Sequence, residues 1–129
     1  KDLVKRKGYI QIEYADIEIA DYFAAADIVV SRSGANSLCE LLALQKPHVL
    51  IPLSKKYSRG DQIDNAKYFE KQGISVVIDE EALNHSSLFK ALKLCEDNSK
   101  MAIDEMQKLN IASASSRIVK ILQNLLAKD

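Results

Sequence analysis

Apolar and polar positions divide this chain into short segments of two alternating periods. Residues 9–14, YIQIEY, alternate apolar with polar and are rich in β-branched and aromatic side chains, which predicts a strand with one covered face. IADYFAAAD, from Ile19, reads as a short helix, and DIVVS, from Asp27, as a fully buried strand. In ANSLCELLALQ the residues Ala35, Leu38, Leu41, Leu42 and Gln45 fall at three- and four-residue steps, the helical period, and Pro47 forbids its continuation. HVLIPL is a third strand whose end Pro52 marks. QIDNAKYFEKQG reads as a helix that Gly73 can cap in a left-handed conformation, and ISVVID as a fourth strand. From about residue 81 the chain is helical, and SSRIVKILQNLLAK is amphipathic through Ile118, Val119, Ile121, Leu122, Leu125 and Leu126. That last helix is expected to pack back on its own domain.

Strands of the buried type separated by helices predict an α/β fold with a doubly wound parallel sheet, because parallel neighbours need helical crossovers that cover both faces. Ligands of such sheets gather outside the carboxyl ends of the strands. Three loops qualify: YADIE after the first strand, SRSGANS after the second and LSKKYSRGDQ after the third.

Composition narrows the choice. With 129 residues, 47% of them hydrophobic, the chain can build one domain with a sizeable core, and residues 1–129 are read as a single unit. Eighteen Lys and Arg balance eighteen Asp and Glu, so the general attraction to a polyanion is missing and nucleic acid is not an expected partner. Cys39 and Cys95 form no Cys-x-x-Cys, and His48 and His85 are far apart, which argues against structural zinc and for a reducing compartment. Both cysteines are expected to be buried small hydrophobes, and His48, with no acid spaced to orient it, is not expected to be catalytic. No apolar run approaches a membrane span, and the chain reads as cytosolic.

The turn between Ser31 and the leucine-rich helix carries the chemistry. A helix start leaves unpaired N–H groups and a partial positive charge, so Ser33, Gly34, Ala35, Asn36 and Ser37 offer backbone donors and hydroxyls to a phosphate, and Gly34 lets the anion come close. At 100° per residue Ser33, Asn36, Ser37 and Glu40 fall on one side, opposite the leucines. Glu40 cannot itself bind phosphate, but it can accept hydrogen bonds from ribose hydroxyls, which points to a nucleotide. The same Ser37-x-x-Glu40 spacing equally suits a capping box, with no ligand at all. Lys55, Lys56 and Arg59 read most simply as a solvated loop, and Gln62 and Asn65 as exposed polar residues opening a helix.

Two motifs, Arg32-Ser33-Gly34-Ala35 followed by Ser37 and Glu40, and Asp61-Gln62 followed by Asn65-Ala66, resemble the donor-binding half of the MurG family of peptidoglycan glycosyltransferases, two-domain enzymes of the GT-B fold. The resemblance runs from about Tyr14 to Gly73 and more loosely through the helical tail. It implies that the backbone at Ala35 and Asn36, with the Ser37 hydroxyl, receives the diphosphate of UDP, and that Glu40 holds the ribose. Asp61 and Gln62 would read hydroxyls of N-acetylglucosamine, and the turn near Ala15 would meet the uracil edge. Ser37 stands where many relatives have threonine, and Gly60-Asp61-Gln62 replaces the commoner Asp-His-Gln.

The family's glycine-rich Gly-Gly-Ser loop and its acceptor domain have no counterpart among these residues, so the chain is expected to be a C-terminal, N-terminally truncated part of the enzyme. The activity implied is inverting transfer of N-acetylglucosamine from UDP-GlcNAc to the undecaprenyl-linked muramyl-pentapeptide lipid I, making lipid II, with helix-end N–H groups instead of a metal stabilising UDP. It implies no cofactor, no metal and no catalytic residue in this chain, which alone would be inactive. The acceptor would be reached through the missing domain, at the inner face of the cell membrane. A sheet edge left open by truncation would favour a homodimer. A UDP-sugar epimerase, a dinucleotide-dependent oxidoreductase lacking its Gly-x-Gly-x-x-Gly, and a non-catalytic flavodoxin-like interaction domain are the rival readings.

Overall fold

A computed structural model describes residues 7–109, 119–121 and 123–124. Its elements run α1 (Ile19–Ala25), β1 (Val29–Ser31), α2 (Ala35–Ala43), β2 (His48–Leu50), α3 (Asp61–Lys71), β3 (Val76–Val77), a 3₁₀ turn (Glu80–Ala82), α4 (His85–Asp97) and α5 (Ser99–Leu109). The three strands form one parallel sheet in the order β1-β2-β3. Val29, Val30 and Ser31 lie opposite His48, Val49 and Leu50, and Val49 and Leu50 lie opposite Val76 and Val77.

The sheet is covered on both faces because successive side chains of β2 point opposite ways. Leu50 packs with Leu38 of α2 and Ala66 of α3, backed by Phe69 and Val77. Val49 packs with Ile78 and with Ala91 and Cys95 of α4. A third cluster at the other end of the sheet joins Leu42 and Ile74 to Ala102 and Met106 of α5. Both Val49 and Leu50 are completely buried, so β2 is the axis of the core.

Turn chemistry sets the helix ends. Gly73 adopts the expected left-handed conformation (φ 72°) two residues beyond α3. Past α2, Gln45 takes the positive φ (53°), so that helix stops at Ala43 without using Pro47.

Four expectations are corrected. Residues 9–14 form no strand: Ile10 is 86% and Tyr14 79% exposed, and the sheet has three strands among the described residues. Among the described residues β1 is an edge strand rather than a fully buried one, with Val30 exposed. Cys39 is exposed, whereas Cys95 is buried and its thiol is pushed up to about 11 by loss of solvent. Residues 119–121 and 123–124 are helical, but Val119 and Ile121 are exposed rather than packed; the rest of that helix lies outside the described residues.

His48 has a structural duty. Fully buried, it bonds through Nδ1 to the Lys46 carbonyl at 2.7 Å and through Nε2 to the Ser75 hydroxyl at 2.6 Å. A carbonyl only accepts, so Nδ1 carries the proton and Nε2 accepts from Ser75. The bond ties the start of β2 to the residue preceding β3.

Two outcomes test this packing. Leu50→Ala should cost about 2–5 kcal/mol in urea unfolding, whereas Val30→Ala, on the open edge, should cost less than about 1 kcal/mol. Burial lowers the His48 pKa below its ordinary value of 6.5. The unfolded chain therefore binds more protons just below pH 6.5, and stability is full above that pH and falls as the pH drops through the window below it. Melting temperatures between pH 7.5 and 5.5 should decline with acid in the native chain, and the decline should flatten in His48→Gln.

Candidate functional site

All three strands point their carboxyl ends the same way, so the loops that follow them meet at one edge of the sheet. After β1 the chain passes through Arg32, Ser33 and Gly34 into α2; after β2 it runs from Ile51 to Gly60 and into α3. Side chains knit the two turns together. Ser33, fully buried, donates its hydroxyl to the Gln62 carbonyl at 2.7 Å. Asn65 returns a bond from Nδ2 to the Ser33 carbonyl at 3.1 Å. Gln62 Oε1 accepts from the Leu53 N–H at 3.1 Å. Ser33 and Asn65, both expected at a ligand, thus spend polar atoms on holding the turn before α2 against α3, and Gln62 spends its Oε1 on the loop that leads into α3.

The two helix starts differ in charge. α2 begins after Gly34, in extended conformation, with no side-chain cap and no acid in its first turn. Its first intrahelical bond runs from the Leu38 N–H to the Gly34 carbonyl, leaving the N–H groups of Ala35, Asn36 and Ser37 without helical acceptors. Ala35 and Asn36 are exposed and Ser37 is half-buried. With the cap at Gly34, Ser37 is the third helical residue, so the alternative Ser37–Glu40 capping box does not form. Glu40 is exposed about a turn and a half along α2. α3 instead starts after Gly60, left-handed at φ 93°, and carries Asp61 and Asp64 in its first turn. Its positive end is already offset by two carboxylates. Ala15 is half-buried in the loop before α1.

A second tie was not legible as such in the sequence. One terminal nitrogen of Arg32 meets Glu80 Oε1 at 2.7 Å, and the other donates to the Ile51 carbonyl at 3.0 Å. Glu80 Oε2 accepts from the Ser54 N–H at 2.9 Å. The Ser54 bond first, and Arg32 second, hold the Glu80 carboxyl below the usual carboxylate range. The available signal was position: Glu80 follows the last strand at the same sheet edge as Arg32. Of the loop cations, Lys56 pairs with Glu81 at 2.9 Å, and both groups are exposed. Beside this tie lies a cleft of about 470 Å³ whose wall includes Pro52, Ser54, Lys55, Ile63 and Glu80. Among the described residues no cluster of His, Cys, Asp and Glu could hold a metal ion, and no helix is long and apolar enough to cross a membrane.

Residues 1–123 match the glycosyltransferase family 28 C-terminal domain. The chain belongs to that family. The match is wider than the stretch from Tyr14 to Gly73 that carries the motifs, and it favours a glycosyltransferase domain over the epimerase and oxidoreductase alternatives. The chain is 50% identical over 124 residues to the UDP-N-acetylglucosamine–N-acetylmuramyl-(pentapeptide) pyrophosphoryl-undecaprenol N-acetylglucosamine transferase of Lachnoclostridium phytofermentans, covering 96% of this chain and 35% of that protein. It is 46% identical over 123 residues to the transferase of the same name from Clostridium botulinum, again covering 35% of it. The chain therefore spans about a third of the length of the curated relatives it matches. The crystal structure of Acinetobacter baumannii MurG superposes with a TM-score of 0.69 at 22% identity, over 89% of this chain and 33% of that one. Spinosyn forosaminyltransferase SpnP does so at 0.65 and 13% identity, over 91% and 32%. These two likenesses establish the fold, the α/β architecture of a GT-B C-terminal domain.

The two glycines at the helix starts separate by substitution. A Cβ on Gly34 would meet nothing within 4 Å and its φ is negative, so Gly34→Ala should change unfolding free energy by less than about 1 kcal/mol. Gly60 holds a positive φ, and Gly60→Ala should cost about 1–2 kcal/mol in the same denaturation assay.

Proposed function

We propose that this chain is the donor-binding domain of an inverting N-acetylglucosaminyltransferase that uses UDP-GlcNAc to convert lipid I to lipid II in peptidoglycan synthesis. The observation that carries the reading is the bare start of α2: unpaired N–H groups at Ala35, Asn36 and Ser37, no acid in the first turn, and open space over Gly34. Such a terminus attracts a phosphate and lets it approach the backbone. The names of the half-identical relatives supply the donor and the acceptor class.

In this reading the diphosphate sits on α2 at Ala35, Asn36 and the Ser37 hydroxyl, and Glu40 accepts from the ribose diol. Asp61 and the Nε2 of Gln62 face the sugar hydroxyls, and backbone near Ala15 meets the uracil. Ser33 and Asn65 act beneath the ligand, by fixing the turn that presents these groups. As the acceptor hydroxyl attacks the anomeric carbon, negative charge grows on the departing UDP, and donors already aimed at that position stabilise it without reorganising. The chain's contribution is leaving-group stabilisation and donor recognition. The acceptor, the base that activates it and the contact with the inner membrane face belong to the rest of the enzyme, and two copies pairing along the β1 edge is a further element of the proposal.

Glu40 gives the sharpest test. In the full-length polypeptide carrying this chain, Glu40→Gln should weaken UDP-GlcNAc binding by ~1.5–3 kcal/mol, roughly ten- to a hundredfold, with the melting temperature little changed. A 2′-deoxyribose analogue should lose affinity for the native enzyme but almost nothing further for Glu40→Gln, because the partner is already gone. Fully additive losses in calorimetry would refute the ribose contact.

A further inference from the structure

We propose that Glu80 is a positioning residue for the nucleotide-sugar site, fixing the spacing between the loop that starts α2 and the loop that leads to α3. The inference rests on the donor-site reading above. The Glu80 carboxylate is shared between two loops. Oε1 holds Arg32, the residue immediately before Ser33 and Gly34, and Oε2 holds the backbone N–H of Ser54, where the loop to α3 leaves the sheet. Arg32 also bonds the Ile51 carbonyl, so its guanidinium straddles the end of β2 while Glu80 reaches across from beyond β3. The carboxyl ends of all three strands are joined by this one side chain.

Only a carboxylate of this length satisfies both partners. Glutamine has a single acceptor oxygen and presents an amide donor to the other group, and aspartate is one methylene short. Ser33 and Asn65 already tie the turn before α2 to α3, and Gln62 ties α3 to the loop at Leu53. The Arg32–Glu80–Ser54 chain adds a tie on the side of the cleft lined by Pro52, Ser54, Lys55 and Ile63. It also keeps the Arg32 charge directed at Glu80, leaving the diphosphate to be bound by the neutral N–H groups of α2.

The test is calorimetry and steady-state kinetics of the full-length polypeptide with UDP-GlcNAc, comparing the native protein with Glu80→Gln, Arg32→Met and the double variant. Glu80→Gln is expected to weaken donor binding on the order of tenfold and to raise the donor KM with kcat nearly unchanged, while the melting temperature moves little. The double variant should bind no worse than the weaker single variant, because both changes break one chain of contacts. Unchanged or tighter donor binding by Glu80→Gln, or additive losses, would overturn the proposal while leaving the donor reading intact. If the native protein shows no saturable UDP-GlcNAc binding, the donor reading falls by itself. Amide exchange at Ser54 then judges Glu80: faster exchange in Glu80→Gln supports its hold on the loop, and unchanged exchange overturns it.

Discussion

The bond from the buried Ser33 hydroxyl to the Gln62 carbonyl, answered by Asn65 on the Ser33 carbonyl, is the constraint on which the site depends. A parallel sheet brings the ends of its strands to one edge, but it does not by itself fix the loops that leave them. Loops carry backbone groups that must be paired when covered, and here the pairing runs from one loop to the next. A hydrogen bond of this kind contributes only about 0.5–1.5 kcal/mol net, yet leaving its buried partner unsatisfied costs more, so the arrangement is specified more strongly than it is stabilised. What is held is geometric: the open start of α2 stays beside the acidic start of α3.

The core below sets where that edge lies. β2 is sandwiched between α2 and α3 on one face and α4 on the other, and its two neighbours fix its register. The His48–Ser75 bond anchors the opposite end of the same strand. Clamped at its start by a buried imidazole and at its end by Gln62 on Leu53 and Glu80 on Ser54, the β2 segment has little freedom to slide.

The helices and their ends were legible in the sequence because their information is local. The Leu38, Leu41 and Leu42 stripe, the left-handed Gly73 and the polar start of α3 each follow from residues within one or two turns. Strands were less legible because pairing is not local. YIQIEY has the alternation a strand needs, but alternation only says which side chains would share a face if a neighbour existed, and Ile10, Ile12 and Tyr14 share one that is exposed. Cys39 shows the reverse: general cysteine preference suggested burial, whereas its helical phase, one residue from Leu38 and off the leucine stripe, places it outside. At the site, residue types announced a polar constellation, but the division between residues that support and residues that remain available was hidden. It depends on partners about thirty positions away, and the partners of Ser33 and Asn65 are backbone carbonyls with no signature of their own.

That division gives the site a direction. A helix start with unpaired donors and no acid favours negative charge, while one bearing Asp61 and Asp64 repels it and offers acceptors to hydroxyl groups. Two such termini held side by side form a short gradient, from anion-accepting to hydroxyl-accepting, across the edge of the sheet. A nucleotide sugar has the matching order, a diphosphate followed by a ring of hydroxyls, and reversing it would set the diphosphate against two carboxylates. The proposed donor orientation therefore follows from the charge difference between two helix starts as much as from any single contact, and the interlock at Ser33 preserves it by keeping those starts together.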